Sequence, residues 1–235
     1  MQNNGLVYFF HQTKLSLEHL RRQTMVNVEL TSTMQDEHEI ANLLTRWGYA
    51  RDSDDWETLS ACFHDNATIH VSWMSGTAEE FIVRSRAMAA TRKAGTHMKH
   101  VISGPWVQVN RDRAFSQCHA NLYTRTIMDG QKFDLQSWMR FFDLLERRDG
   151  VWRIVKRTSV YDKDRIDPVD PRGIPKGFFT DMDLSAFPTS AKFLCYDLVR
   201  SGRQPASDLV SVYSEEEQAL RTEGNAWITG RAEDL

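Results

Sequence analysis

The chain has 235 residues, of which 41% are hydrophobic and 26% charged, with a formal net charge of −3. That length and composition suit a globular domain with a sizeable core and short extensions. The slight acidic balance supplies no basic field for nucleic acid or an anionic membrane, and no apolar run approaches the roughly 20 residues of a spanning helix.

The first stretch, "MQNNGLVYFFHQTKLSLEHLRRQTM", lacks the basic lead, apolar segment and small-residue cleavage site of a signal peptide. Residues 1–33 are expected to form a leader without fixed structure, with Met25 as a candidate true start. In "MQDEHEIANLLTRWGYARD" (34–52), Ile40, Leu43, Leu44 and Trp47 recur at helical spacing behind an acidic first turn. "DDWETLSACF" restarts a second helix, capped by Asp54 or Asp55, with Trp56, Leu59 and Phe63 as its buried stripe. "NATIHVSW" (66–73) reads as a strand. A third helix follows in "TAEEFIVRSRAMAATRKAG", where Thr77 and Glu80 have capping-box spacing. From about Thr96 the pattern becomes four long alternating segments, 97–109, 114–128, 132–146 and 151–162, broken by "NRDR", "MDGQ" and "RRDG". After Asp162 come Pro168, Pro171, Pro175 and Pro188, then a helical tail containing "EEEQALRTEGNAWITG".

Three helices followed by an antiparallel meander predict an α+β fold with the helices on one face of a curved sheet. The domain is placed at 34–165, and residues 166–235 are expected to wrap it or a neighbouring subunit. The cysteines Cys62, Cys118 and Cys195 are few and widely spaced, which argues against a disulfide framework and a thiolate zinc site. They suit a reducing compartment, so a cytoplasmic location is expected.

A hairpin turn at 110–113 sets His100 opposite Tyr123. Alternation then puts His119, Asn121, Tyr123 and Arg125 on the face of His100. That face is either the wet side of the sheet or a polar wall of a pocket. His97 and His100, three apart on a strand, point to opposite faces and do not share a metal, so no metal site is expected. Trp47, Tyr49 and Trp106 are core or pocket wall. Asp54 and Asp55 are accounted for as caps, whereas Asp52 falls at a helix C-terminus, where the dipole disfavours a carboxylate. It needs a partner, and a histidine would make an acid/base dyad.

"WGYARDSDDWETLSACFHDNA", "THMKHVISG", "RDRAFSQCHANLY" and "ERRDGVWRIVKRTSVYD" together resemble the SnoaL-like polyketide-cyclase branch of the nuclear-transport-factor-like fold. Scytalone dehydratase and lindane dehydrochlorinase belong to the same branch. The resemblance covers about residues 36–165. It implies a cone-shaped α+β barrel around an apolar pocket, commonly in dimers or trimers. It carries the catalytic aspartate onto Asp52 and the strand-opening histidine onto His100. The dehydratase's second histidine falls on Arg125, which cannot serve as a base. The dehydrochlorinase's lysine falls on Trp47, which argues against dechlorination. Arg157 lies near a final-strand arginine used by some members.

The resulting expectation is a cofactor-independent lyase, a dehydratase or a carbon–carbon lyase, acting on a small aromatic or polycyclic substrate. Asp52 and His100 are its catalytic pair, and Trp47, Tyr49, His119, Asn121, Tyr123, Arg125 and Arg157 its substrate contacts. No cofactor, nucleic acid or membrane is expected, and a homodimer or homotrimer is. Two other readings use the same parts: a ketosteroid-isomerase-like isomerase or polyketide cyclase, and a non-catalytic small subunit of an aromatic-ring dioxygenase. The last requires Asp52 and His100 to lie beyond hydrogen-bonding distance.

Overall fold

A computed structural model describes residues 4–230, with the backbone alone for 4–21 and 26–29. The chain divides into two compact units, Met1–Glu39 and Ile40–Leu235. Helix α1 (Asn4–Asp52) is continuous, so residues 4–33 of the expected leader are helical and residues 1–3 lie outside the described residues. Among the described residues no helix is long and apolar enough to cross a membrane.

At the end of α1, Asp54 takes a left-handed conformation (φ 61°), which turns the chain. Asp55 then caps α2 (Trp56–Ala61) by accepting from Thr58 N–H. Strands β1 (Phe63–Val71) and β2 (Met74–Thr77) form a hairpin. Helix α3 (Ala78–Ala90) starts on the reciprocal Thr77–Glu80 capping box. The four long strands follow as β3 (His97–Asn110), β4 (Arg113–Met128), β5 (Gln131–Arg148) and β6 (Val151–Pro168). The turns at Asp129–Gly130 and Asp149–Gly150 have positive φ at both residues, the hairpin geometry that Asp-Gly pairs favour. Helix α4 (Lys192–Arg200), the short β7 (Val210–Ser211) and α5 (Glu215–Thr229) complete the chain.

The curved sheet is open, in the order β2-β1-β6-β5-β4-β3, with β7 added alongside β6. Its inner face supplies Cys118, Phe133, Met139, Phe141 and Ile154 to one core with Leu44, Trp47, Leu59, Phe81 and Leu194 from the helices. On the outer face, Phe115, Phe142 and Leu144 pack with Leu220, Trp227 and Ile228 of α5. The segment expected to wrap the domain or a neighbour therefore packs on the sheet of its own chain.

Alternation along β4 is as expected, but the β3–β4 register is not. Pairing runs Asn110 opposite Arg113 as far as Trp106 opposite Gln117. It then slips by one between Trp106 and Ser103, so His100 faces Leu122 and not Tyr123. The slip holds Gly104 (φ 57°) and Pro105, a glycine in the left-handed region beside a residue without an N–H donor. One extra residue moves everything beyond it to the other face. His100 thus turns inward with Leu122 and Ala120, while His119, Asn121, Tyr123 and Arg125 lie on the outer face.

Candidate active site

Asp52 is the last residue of α1, where the chain's own carbonyls repel a negative charge. Both of its carboxylate oxygens are engaged by one residue of β3. The His100 backbone N–H donates to Oδ2 at 2.6 Å, and His100 Nδ1 lies 2.6 Å from Oδ1. A carboxylate only accepts, so Nδ1 carries the proton and Nε2 is the free nitrogen. The two side chains keep 9% (His100) and 16% (Asp52) exposure, so the pair sits at the edge of the core and still meets the outside.

The contact depends on how closely α1 approaches β3. Gly48 lies one turn before Asp52, and a Cβ there would fall 2.9 Å from Ile102 Cγ1 and 3.7 Å from the His100 carbonyl oxygen. A glycine inside a helix costs about 1 kcal/mol relative to alanine, and here it brings the helix against the strand. The helical glycine of "WGYARD" was the sequence signal for this role.

Burial holds His100 below the 6.5 of a free imidazole, against the opposing pull of Asp52, and the Arg51 and Arg157 charges push in the same direction as burial. The ring is therefore neutral near pH 7. Trp47 meets it edge-on at 5.4 Å and Phe141 at 5.0 Å, and stacks on Phe81 at 6.3 Å. Arg157 lies over Trp47 and Phe141, with its guanidinium carbon 4.4 and 4.1 Å from their ring centroids. It is fully buried and held by Asp143 through two bonds of 2.7 and 2.8 Å. Breaking such a pair costs about 3–5 kcal/mol.

Trp47 Nε1, Arg157 Nη1 and Arg51 Nη1 are buried without a hydrogen-bond partner. Each is a donor with no capacity to accept, and leaving one unmet costs about 1–3 kcal/mol. Unmet N–H donors on Trp47, which meets the His100 ring, and on Arg157, which lies over Trp47, suit a molecule that brings oxygen acceptors.

Of the residues the sequence singled out, the structure brings together Asp52, His100, Trp47 and Arg157. Tyr49 is 73% exposed on α1. Trp106 is on the outer face, edge-on to Phe115 at 6.4 Å. His119, Asn121 and Tyr123 are carried outward by the register, and Arg125 is held outside by Asp134 at 2.7 Å. His97 pairs with Arg125 on that outer face, so it and His100 point apart. Among the described residues no group of three His, Cys, Asp or Glu side chains is placed to hold a metal. Cys118, on the inner face, has its thiol pushed up to about 12 by burial and is no nucleophile at neutral pH.

Beyond Gly48, the sequence reading passed over Arg51 and Asp143. Both interrupt apolar stripes, Arg51 one turn after Trp47 and Asp143 within "FFDLLE". A charge on a buried stripe was the available signal.

The chain is 31% identical over 164 residues to pea pathogenicity protein 2 of Fusarium vanettenii, covering 67% of each. A solved structure described as a putative scytalone dehydratase, from Novosphingobium aromaticivorans, matches with a TM-score of 0.51 and 15% identity, over 63% of this chain and 99% of that one. The structure of LinA matches with a TM-score of 0.50 and 17% identity, over 61% and 96%. At these identities the two structures establish a shared fold. The SnoaL-like domain family matches residues 32–158, which span β1 to β5, β6 as far as Thr158 and the Asp52–His100 pair, and the chain belongs to that family.

Proposed function

We propose that the chain is a cofactor-independent lyase of the dehydratase type, acting on a small oxygen-bearing aromatic compound. The observation that carries this reading is the 2.6 Å contact between Asp52 and His100 Nδ1. With Nδ1–H committed to Asp52, neutral Nε2 removes a proton from a substrate carbon next to the carbon bearing the leaving hydroxyl. The electron pair forms the new double bond as the carbon–oxygen bond breaks. The imidazolium, stabilised by Asp52, returns the proton to the departing oxygen, so water leaves and the ring is again neutral. Trp47 Nε1–H and Arg157 Nη1–H supply donors for a substrate oxygen on which charge develops.

The putative dehydratase of like fold supports elimination. The 2.6 Å separation counts against a non-catalytic subunit, which required the pair to be apart. Isomerisation or cyclisation would use the same base and differ in conserving mass. A panel of aromatic diols followed by mass spectrometry is expected to yield a product lighter by one water. His100→Ala and Asp52→Asn are each expected to cut turnover at least ~10²-fold with an unchanged circular dichroism spectrum. Full turnover in both variants rejects the dyad, and a product of unchanged mass rejects elimination.

A further inference from the structure

Arg51 stands one turn beyond Trp47 on the buried side of α1 and is 4% exposed. Its guanidinium carbon lies 6.0 Å from the ring centroid of Trp56 and 5.8 Å from that of Phe81. Phe81 in turn stacks on Trp47, which meets His100, so guanidinium and imidazole flank one aromatic wall. The two carboxylates nearest in sequence are taken. Both oxygens of Asp52 serve His100, and both oxygens of Asp54 serve Arg92 at 2.8 and 3.0 Å. Arg51 Nη1 is left buried with no acceptor. Burial lowers the guanidinium to about 10, opposed by Asp52 and Asp54 and assisted by Arg92 and Arg203, so it keeps its charge at neutral pH.

A charged planar fork with an unmet N–H, set among flat aromatic rings, matches a carboxylate attached to an aromatic ring. We propose that Arg51 anchors a carboxylate of the substrate, so that the compound turned toward His100 is an aromatic acid. This inference rests on the dyad reading of the same site and narrows its substrate class.

Titration of the full chain with benzoate and with benzamide, followed by tryptophan fluorescence, tests it. Benzoate is expected to bind at least ~10-fold more tightly than benzamide. The preference is expected to vanish in Arg51→Met and to persist in His100→Ala, where the base is gone and the anchor intact. Equal affinities in the natural chain, or a preference kept in Arg51→Met, overturns the anchor. Should Arg51→Met not fold, the Arg51 Nε–Hε NMR signal of the natural chain, assigned through Arg51→Lys, decides the matter. It is expected to move with benzoate and not with benzamide, and a signal indifferent to benzoate overturns the anchor. The dyad fails separately, by turnover surviving in His100→Ala, which leaves the benzoate preference as it was.

Discussion

His100 is subject to two opposed influences, burial that disfavours the imidazolium and an Asp52 carboxylate that favours it, and burial prevails. The sign fixes the pH behaviour. Above 6.5 both folded and unfolded chains hold a neutral ring, and His100 contributes no pH dependence. Below 6.5 the unfolded chain binds a proton that the folded one resists, so stability falls with pH until the lowered folded value is reached. Urea unfolding between about pH 7 and about pH 5 is therefore expected to show a larger stability loss in the natural chain than in His100→Gln. An equal loss would mean that the ring is not held neutral. Nitrogen-15 NMR near pH 7 is expected to find Nδ1 protonated and Nε2 bare, the form that the proposed base requires.

Two elements, α1 and β3, bring the dyad together, and each does so through a glycine. Gly104 in the β3 bulge turns His100 inward, and Gly48 lets α1 come close enough for Asp52 to reach it. A valine at 48 has no room beside Ile102 and must push the strand away. Gly48→Val is expected to lengthen the Asp52–His100 contact and lower turnover by about 10-fold or more, while the sheet persists because its strands pair independently of that helix. The loss of a far-downfield Nδ1–H proton signal, with near-native circular dichroism, would register this. A retained signal would show that the close approach is not needed.

For the whole molecule, the sheet has a core on each face, and the outer one depends on the C-terminal segment. Leu220, Trp227 and Ile228 of α5 cover Phe115, Phe142 and Leu144, and Trp227 Nε1–H donates to the Leu145 carbonyl at 3.0 Å. At Gly224 a Cβ would fall 2.6 Å from the Phe115 ring, so the helix lies directly on the strands. Ending the chain after Tyr213 is expected to expose this apolar face, to destabilise the fold by at least ~3 kcal/mol and to raise binding of an apolar dye. An unchanged melting temperature would mean that α5 is dispensable.

The sequence by itself determined the order and type of the helices and long strands between residues 34 and 168, because periodicity, caps and Asp-Gly turns are local properties of the chain, whereas the helical course of residues 4–33 and helix α4 were not anticipated. It also singled out Asp52, since a carboxylate at a helix C-terminus calls for a partner wherever the helix lies. Which face of the sheet each side chain occupies was decided by tertiary structure. A single extra residue at Gly104–Pro105 reverses the face of His100 relative to Tyr123, and simple alternation does not reveal a bulge. The same holds for Arg51 and Arg157. Arg157 was singled out by resemblance and Arg51 was open to notice on its apolar stripe, but only the packing of helices on the sheet shows both buried against aromatic rings beside the dyad.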